Sequence, residues 1–188
     1  MQLYQDQEFQ NIDYTIEGLP KGEYENCTFI NCNFSNTNLS NFTFIDSIFE
    51  NANLSLVKIS NTIIRDIKFK GCKMIGMQFG DANAFGLSFS FEDCILTNAS
   101  FYKTKIKKTI FVNSKLNEVD FTETDLTECV FNNCDLSAAI FSFTNIERAN
   151  LSSSFNYSID IETNKIKKSK HSVHQLAGLL DKFQIIIE

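Results

Sequence analysis

A period of five runs through most of this 188-residue chain, and few folds can accommodate it. Every fifth residue from Tyr24 gives Tyr24, Phe29, Phe34, Leu39, Phe44, Phe49, Leu54, Ile59, Ile64, Phe69, Met74, Phe79, Ala84 and Phe89. From Leu96 the same step gives Leu96, Phe101, Ile106, Phe111, Leu116, Phe121, Leu126, Phe131, Leu136, Phe141, Ile146 and Leu151. Ala84 alone among these 26 positions lacks a large apolar side chain. Two residues ahead of most of them stands a smaller residue, such as Cys27, Thr37, Ala52, Ser114 or Cys134. Five matches neither the helical period of 3.6 nor the strand period of 2. It matches a chain that turns a corner every five residues and sends one large and one small side chain inward on each side. Four such sides close a square coil of 20 residues. Columns at that spacing support it: Phe9, Phe29, Phe49, Phe69 and Phe89 form one, and Phe101, Phe121 and Phe141 another. Coils stacked about 4.8 Å apart would lay ring over ring.

Segments such as Ala52-Asn53-Leu54-Ser55, Cys134-Asp135-Leu136-Ser137 and Ala149-Asn150-Leu151-Ser152 resemble the A(D/N)LXX pattern of pentapeptide-repeat proteins. The resemblance covers residues from about 9 to 171 and implies a right-handed, four-sided β-helix, an all-β solenoid of about 20-residue coils. Gly86-Leu87-Ser88-Phe89-Ser90-Phe91-Glu92 and the C-terminal run are similar to the branch that holds quinolone-resistance proteins. That likeness implies a binder of type II topoisomerases that imitates DNA in shape and charge.

Seven residues separate Phe89 from Leu96, a register slip of two near residues 90–95. If a corner absorbs it, Leu96 falls on Met74, Phe101 on Phe79 and Phe111 on Phe89, which favours one continuous coil over residues 1–171. Ala84 should leave a local gap, filled by Phe85 or Phe91. Residues 172–188 read as a cap: Ser172 and Gln175 form a capping box, and Val173 to Phe183 carry helical spacing. Gln184-Ile185-Ile186-Ile187-Glu188 reads as a terminal strand. A β-helix must blunt its open edge or pair it with another chain. Leu176, Leu179, Leu180, Phe183, Ile185, Ile186 and Ile187 are therefore the expected homodimer interface.

Charge is banded. Residues 1–57 carry a net −7, residues 58–115 a net +6, residues 116–162 a net −8 and residues 163–188 a net +3, giving −6 for the chain. Columns such as Lys108, Glu128, Arg148 and Lys168 mostly alternate in sign as favourable neighbours should. Glu118, Asp120, Glu123, Asp135, Asp160 and Glu162 have fewer basic neighbours and are the candidate contacts for a basic partner. The net charge argues against direct nucleic-acid binding by the whole chain.

The six cysteines all fall at the inward small position, where they read as small buried hydrophobes. With no Cys-x-x-Cys pair and no phosphate-cradling glycine loop, no metal or cofactor is expected. Neither His171 nor His174 has a nucleophile at readable spacing, so no catalytic residue is assigned and a non-enzymatic protein is expected. The first residues lack a basic stretch followed by an apolar one, and no run of about 18 apolar residues occurs, so the expectation is cytoplasmic with no membrane span. Two functions stand side by side. One is a DNA-mimicking binder of DNA gyrase or topoisomerase IV that protects it from quinolones. The other is a scaffold for a different protein partner, with Ile110, Val112 and Val130 as a modest apolar strip.

Overall fold

The computed structural model describes residues 1–186; Ile187 and Glu188 lie outside the described residues. The chain winds as a parallel β-solenoid of about eight turns. Residues about twenty apart are bonded neighbours: Asn36 N–H donates to the Ser55 carbonyl at 2.9 Å and Lys58 N–H to the Thr37 carbonyl at 3.0 Å. One side of the square carries a continuous nine-stranded parallel sheet, from Glu8–Gln10 through Phe89–Glu92 to Lys170–His171. The side before it carries four strands, Gln2–Gln5, Gly22–Glu25, Thr43–Ile45 and Ile63–Arg65. The other two sides are held by single bridges such as Asn33 with Asn53 and Ser100 with Asp120.

The pentapeptide is a corner-turning unit, and each position has a physical task. The large residue is buried, and the residue two places later turns the corner with positive φ, as at Asn41 (61°) and Asn51 (52°). Asparagine, aspartate and glycine tolerate this left-handed conformation best. In the first 70 residues, Asn or Asp fills ten of the eleven non-glycine positions with positive φ. The Asn or Asp just before the large residue accepts the backbone N–H two residues on, as Asn53 does from Ser55 (3.2 Å) and Asp135 from Ser137 (3.1 Å). Small inward residues satisfy their own hydroxyls: Thr124 Oγ1 donates to the Phe101 carbonyl at 2.7 Å and Thr144 Oγ1 to that of Phe121 at 2.8 Å. No buried side-chain donor or acceptor among the described residues is left without a partner.

The register break lies earlier than the spacing suggests. Phe91, not Phe89, stacks on Phe69 at 5.3 Å, and Phe111 stacks on Phe91 at 5.0 Å. The extra residues sit in the segment 81–88, between the corner after Phe79 and the strand Phe89–Glu92. Phe89 instead takes a small-residue slot opposite Ile67, where it is buried against the rings of Phe79 (5.2 Å) and Phe91 (5.0 Å). Half-buried Leu87 packs against the core nearby, but a depression of about 240 Å³ lined by Phe79, Ala82, Ala84 and Leu87 remains at the small residue. Phe85 does not fill it, being 85% exposed. Leu96 over Met74 and Phe101 over Phe79 hold as expected, the two rings lying 4.4 Å apart.

The cap also differs from its expectation. The stretch forms two short 3-10 segments, Val173–Leu179 and Asp181–Phe183, in place of one amphipathic helix. The capping box is only half made. Ser172 Oγ accepts from His174 N–H at 3.2 Å, but Gln175 turns away and accepts the Asn156 N–H at 3.0 Å. Docking onto the last coil wins over local helix geometry: the Gly178 carbonyl accepts from Ile159 N–H at 2.8 Å. A Cβ on Gly178 would lie 1.9 Å from the Tyr157 carbonyl. Gln184 is left-handed (φ 51°) and Ile185 and Ile186 form no strand, so the expected terminal strand is absent there; its remainder lies outside the described residues.

Phe121 sits mid-column, fully buried, with Phe101 at 5.4 Å and Phe141 at 5.3 Å. Phe121→Ala should cost about 3–5 kcal/mol, since neighbouring coils cannot collapse into the void without breaking register. Denaturant melts would measure it, and a loss near zero would contradict the stacked column.

Candidate interaction faces

Counted from the side that follows the nine-stranded sheet, the second side of the square is lined inside by Leu39, Ile59, Phe79, Phe101, Phe121 and Phe141, and its outer surface gathers four of the six candidate carboxylates. Asp120 stands in the column Gln78, Ser100, Asp120 and Ile140, and Glu123 is at the adjoining corner. Asp160 and Glu162 follow one coil further on. Asp135 belongs to the first side, in the column Ile95, Lys115, Asp135 and Phe155, and Glu118 turns the corner between the two sides. The six acids therefore span two adjoining sides.

Their environments are unequal. Asp120 accepts from Thr122 N–H at 2.9 Å and from Ser100 Oγ at 3.3 Å, and no cation pairs with it among the described residues. Partial burial opposes the charge on Asp135, but bonds from Ser137, Asn117 and Asn156 outweigh it and hold the carboxyl below its ordinary range. Glu123 faces Lys103 Nζ at 3.6 Å and the Tyr102 hydroxyl at 3.4 Å. Lys182, from the cap, bonds Asp160 at 2.9 Å and also Glu162. The Glu162 backbone N–H and Lys182 keep Asp160 below the usual carboxylate range. Three of the six acids thus already have a lysine, and three of them (Asp120, Asp135 and Asp160) serve a turn. The sequence could not separate these tasks, because Lys182 reaches back from 20 or more residues away.

On the third side the column Lys108, Glu128 and Arg148 pairs as expected, with Lys108–Glu128 at 3.9 Å and Arg148–Glu128 at 2.9 Å, whereas Asp125 pairs diagonally with Lys107 at 3.2 Å and not with Lys105 of its own column. On the nine-stranded side, small Ser90 lies between Lys68 and Ile110 and leaves a depression of about 360 Å³ rimmed by Lys107 and Lys108. Of the expected dimer residues, Leu176, Phe183, Ile185 and Ile186 are exposed, Leu180 is half-buried, and Leu179 packs against the core. Ile187 lies outside the described residues. Sequence reasoning missed Ile140 and Phe143, which are 51% and 70% exposed on the acidic side. The signal was present: Phe143 breaks the repeat by placing an aromatic where a corner residue belongs.

All six cysteines are free and buried, and burial pushes the thiols of Cys129 and Cys134 up to about 12 and 11. His171 has a neighbour that the spacing did not suggest. Its Nε2 is 2.8 Å from Ser169 Oγ, and Nδ1 is 3.1 Å from the Tyr157 hydroxyl. Ser169 spends its proton on the Ile166 carbonyl at 2.7 Å, so it accepts from Nε2–H while Nδ1 accepts from Tyr157. That tautomer leaves no ring lone pair for a serine proton, and the trio fastens the last coil. No group of three or more His, Cys, Asp or Glu among the described residues is placed to hold a metal. No described helix is long and apolar enough to cross a membrane.

Residues 23–90 and 87–168 match the family described as pentapeptide repeat region. The chain belongs to the pentapeptide-repeat family. No curated protein matches it. Among solved structures, a trypsin-treated variant of QnrB1, a plasmid-mediated fluoroquinolone resistance protein, is 19% identical with a TM-score of 0.65. That alignment covers 100% of this chain and 99% of the other, and at such identity it shows the fold. HetL from the cyanobacterium Nostoc, a pentapeptide repeat protein involved in heterocyst differentiation regulation, is 15% identical with a TM-score of 0.42 over 91% of this chain and 85% of its own.

Burial lowers the proton affinity of His171 below its ordinary 6.5. The unfolded chain therefore binds the proton more readily, and stability should be full above about pH 6.5 and decline as pH falls below it. Carboxylate protonation enters only nearer pH 4. His171→Phe, which keeps a ring beyond Leu151 in its column, should flatten the profile between pH 7 and 5. Chemical denaturation at several pH values checks this, and an unchanged slope in the variant would contradict it.

Proposed function

We propose that this pentapeptide-repeat protein is a non-catalytic binding rod whose acidic first and second sides engage a basic groove on a type II topoisomerase, DNA gyrase or topoisomerase IV, in place of DNA. The observation that carries the reading is the set of carboxylates on two adjoining sides of one continuous solenoid, with Asp120 and Asp135 fixed by turn hydrogen bonds. Fixed charges need no reordering on contact, and charge of one sign steers a partner of the other. The structural likeness to a fluoroquinolone resistance protein agrees with this reading. Protection of the enzyme from quinolones would follow from competition with DNA for the same groove.

The test must spare the turns. Asp120→Asn and Asp135→Asn keep the turn acceptor and remove the charge, and exposed Glu118→Lys reverses one. The triple variant should keep its melting temperature within a few degrees and bind purified gyrase at least about tenfold more weakly at low salt, with a flatter salt dependence. Supercoiling assays with and without ciprofloxacin would show whether binding alters the enzyme. Absence of wild-type binding at tens of micromolar would remove this reading.

A second reading, a scaffold for a different protein, is favoured by the basic belt at residues 58–115 and its Lys68–Ile110 depression, which interrupt a duplex-like potential. Either reading accommodates a homodimer joined through the C-terminal cap, where Leu176, Phe183, Ile185 and Ile186 leave apolar surface in water. Deleting residues 184–188 should turn dimers into monomers in light scattering, and an intact chain that is monomeric at high micromolar concentration would refute the dimer.

A further inference from the structure

Phe143 is placed at a double disadvantage. It turns a corner at φ 52°, a conformation that a bulky side chain adopts only under strain, and its ring is 70% exposed. Corner positions elsewhere show the relaxed solution, with Asn, Asp or Gly at most of those in the first half of the chain. Among the described non-glycine residues with positive φ, Phe143 is the only aromatic one. The ring contributes nothing to the core, whose column here is filled by Phe141. Three residues before it, Ile140 is also exposed, paired across the coil with Asp120. The backbone N–H of Glu123 donates to the Ser142 carbonyl, so the Phe143 corner follows directly on that of Glu123.

The result is an apolar pair on the acidic side, with Asp120 and the Lys103-paired Glu123 in the coil before it and Asp160 and Glu162, both bonded to Lys182, in the coil after it. A lone exposed hydrophobe needs no explanation, but two adjacent ones, one of them strained and both bordered by carboxylates, have the make-up of an interface centre with a polar rim. We infer that Ile140 and Phe143 are the anchor of the partner-binding face, inserted into an apolar socket ringed by lysine or arginine on a basic protein. The inference rests on the reading that this acidic side faces a partner, and it adds where affinity, as distinct from attraction, comes from. Asp120, the one of these four acids without a lysine among the described residues, sets the approach and its salt dependence, while the desolvated aromatic holds the complex together.

Relieving the strain separates this role from a structural one. Phe143→Asn places a residue suited to the left-handed corner, so the variant should melt at or above the wild-type temperature. Leu56→Asn is the control: it too removes an exposed apolar side chain from a left-handed corner (φ 57°), but at the corner after Leu54, in a coil far from the acids. Binding of the full-length chain to purified gyrase and topoisomerase IV is titrated at two salt concentrations. Phe143→Asn should weaken binding by about tenfold or more with the salt dependence intact, and Leu56→Asn should bind as wild type. Asp120→Asn should instead flatten the salt dependence. Wild type that binds while Phe143→Asn binds equally well overturns the anchor and leaves the acidic-face reading standing. Wild type that binds neither enzyme removes both.

Discussion

Each large inward side chain must lie over its counterpart one coil away, and the rest of the molecule answers to that stacking. A ring such as Phe111, 5.0 Å from Phe91 and 4.9 Å from Phe131, is sealed on both faces by its own kind. Perpendicular contacts with Phe101 and Phe121 fill the space toward the neighbouring side. Burial of each ring is worth about 1.5–3 kcal/mol, but the register is what makes burial possible, because a shift of one residue would turn the whole column outward. Where the spacing fails at residues 81–88, the coil extrudes Phe85 and recruits Phe89 and Leu87 so that Phe91 can recover the column.

The corners obey a second constraint, and it governs which surface residues are free to act. A chain that turns every five residues needs a left-handed residue and a turn acceptor at each corner. Much of the apparent acidity is spent on this: Asp120, Asp125, Asp135 and Asp160 each accept a backbone N–H two residues on. These carboxylates are at once structural and rigid, which is why asparagine is the informative substitution and lysine a misleading one. By contrast, the corner itself is occupied by Lys103, Glu123 and Phe143 in three successive coils of the second side, none of them suited to positive φ. The local cost is tolerated because the columns on either side fix the backbone.

The ends show how far a local pattern can be overruled. Ser172 and Gln175 spell a helix start, and in isolation the following residues would favour one. Tyr157 and Gly178 meet instead, Gln175 bonds the last coil, and the apolar residues of the cap divide between the core and solvent. Lys182 then reaches Asp160 and Glu162, so the cap neutralises part of the acidic side that it closes.

The amino-acid sequence by itself determined the square coil, its 20-residue columns, the buried cysteines and the continuity of the solenoid across the break. All of these follow from a short period repeated many times, in which every repeat reports the same inward direction. It did not determine which residue fills a given column after the interruption, since Phe89 and Phe91 are equally apolar and only stacking on Phe69 or Ile67 tells them apart. Nor did it determine which acids are free, the wiring of Ser169 to His171, or the exposure of Ile140 and Phe143. Those depend on contacts between residues brought together by winding and by the docking of the cap. Such contacts are decided by distance in space, on which a period along the chain is silent.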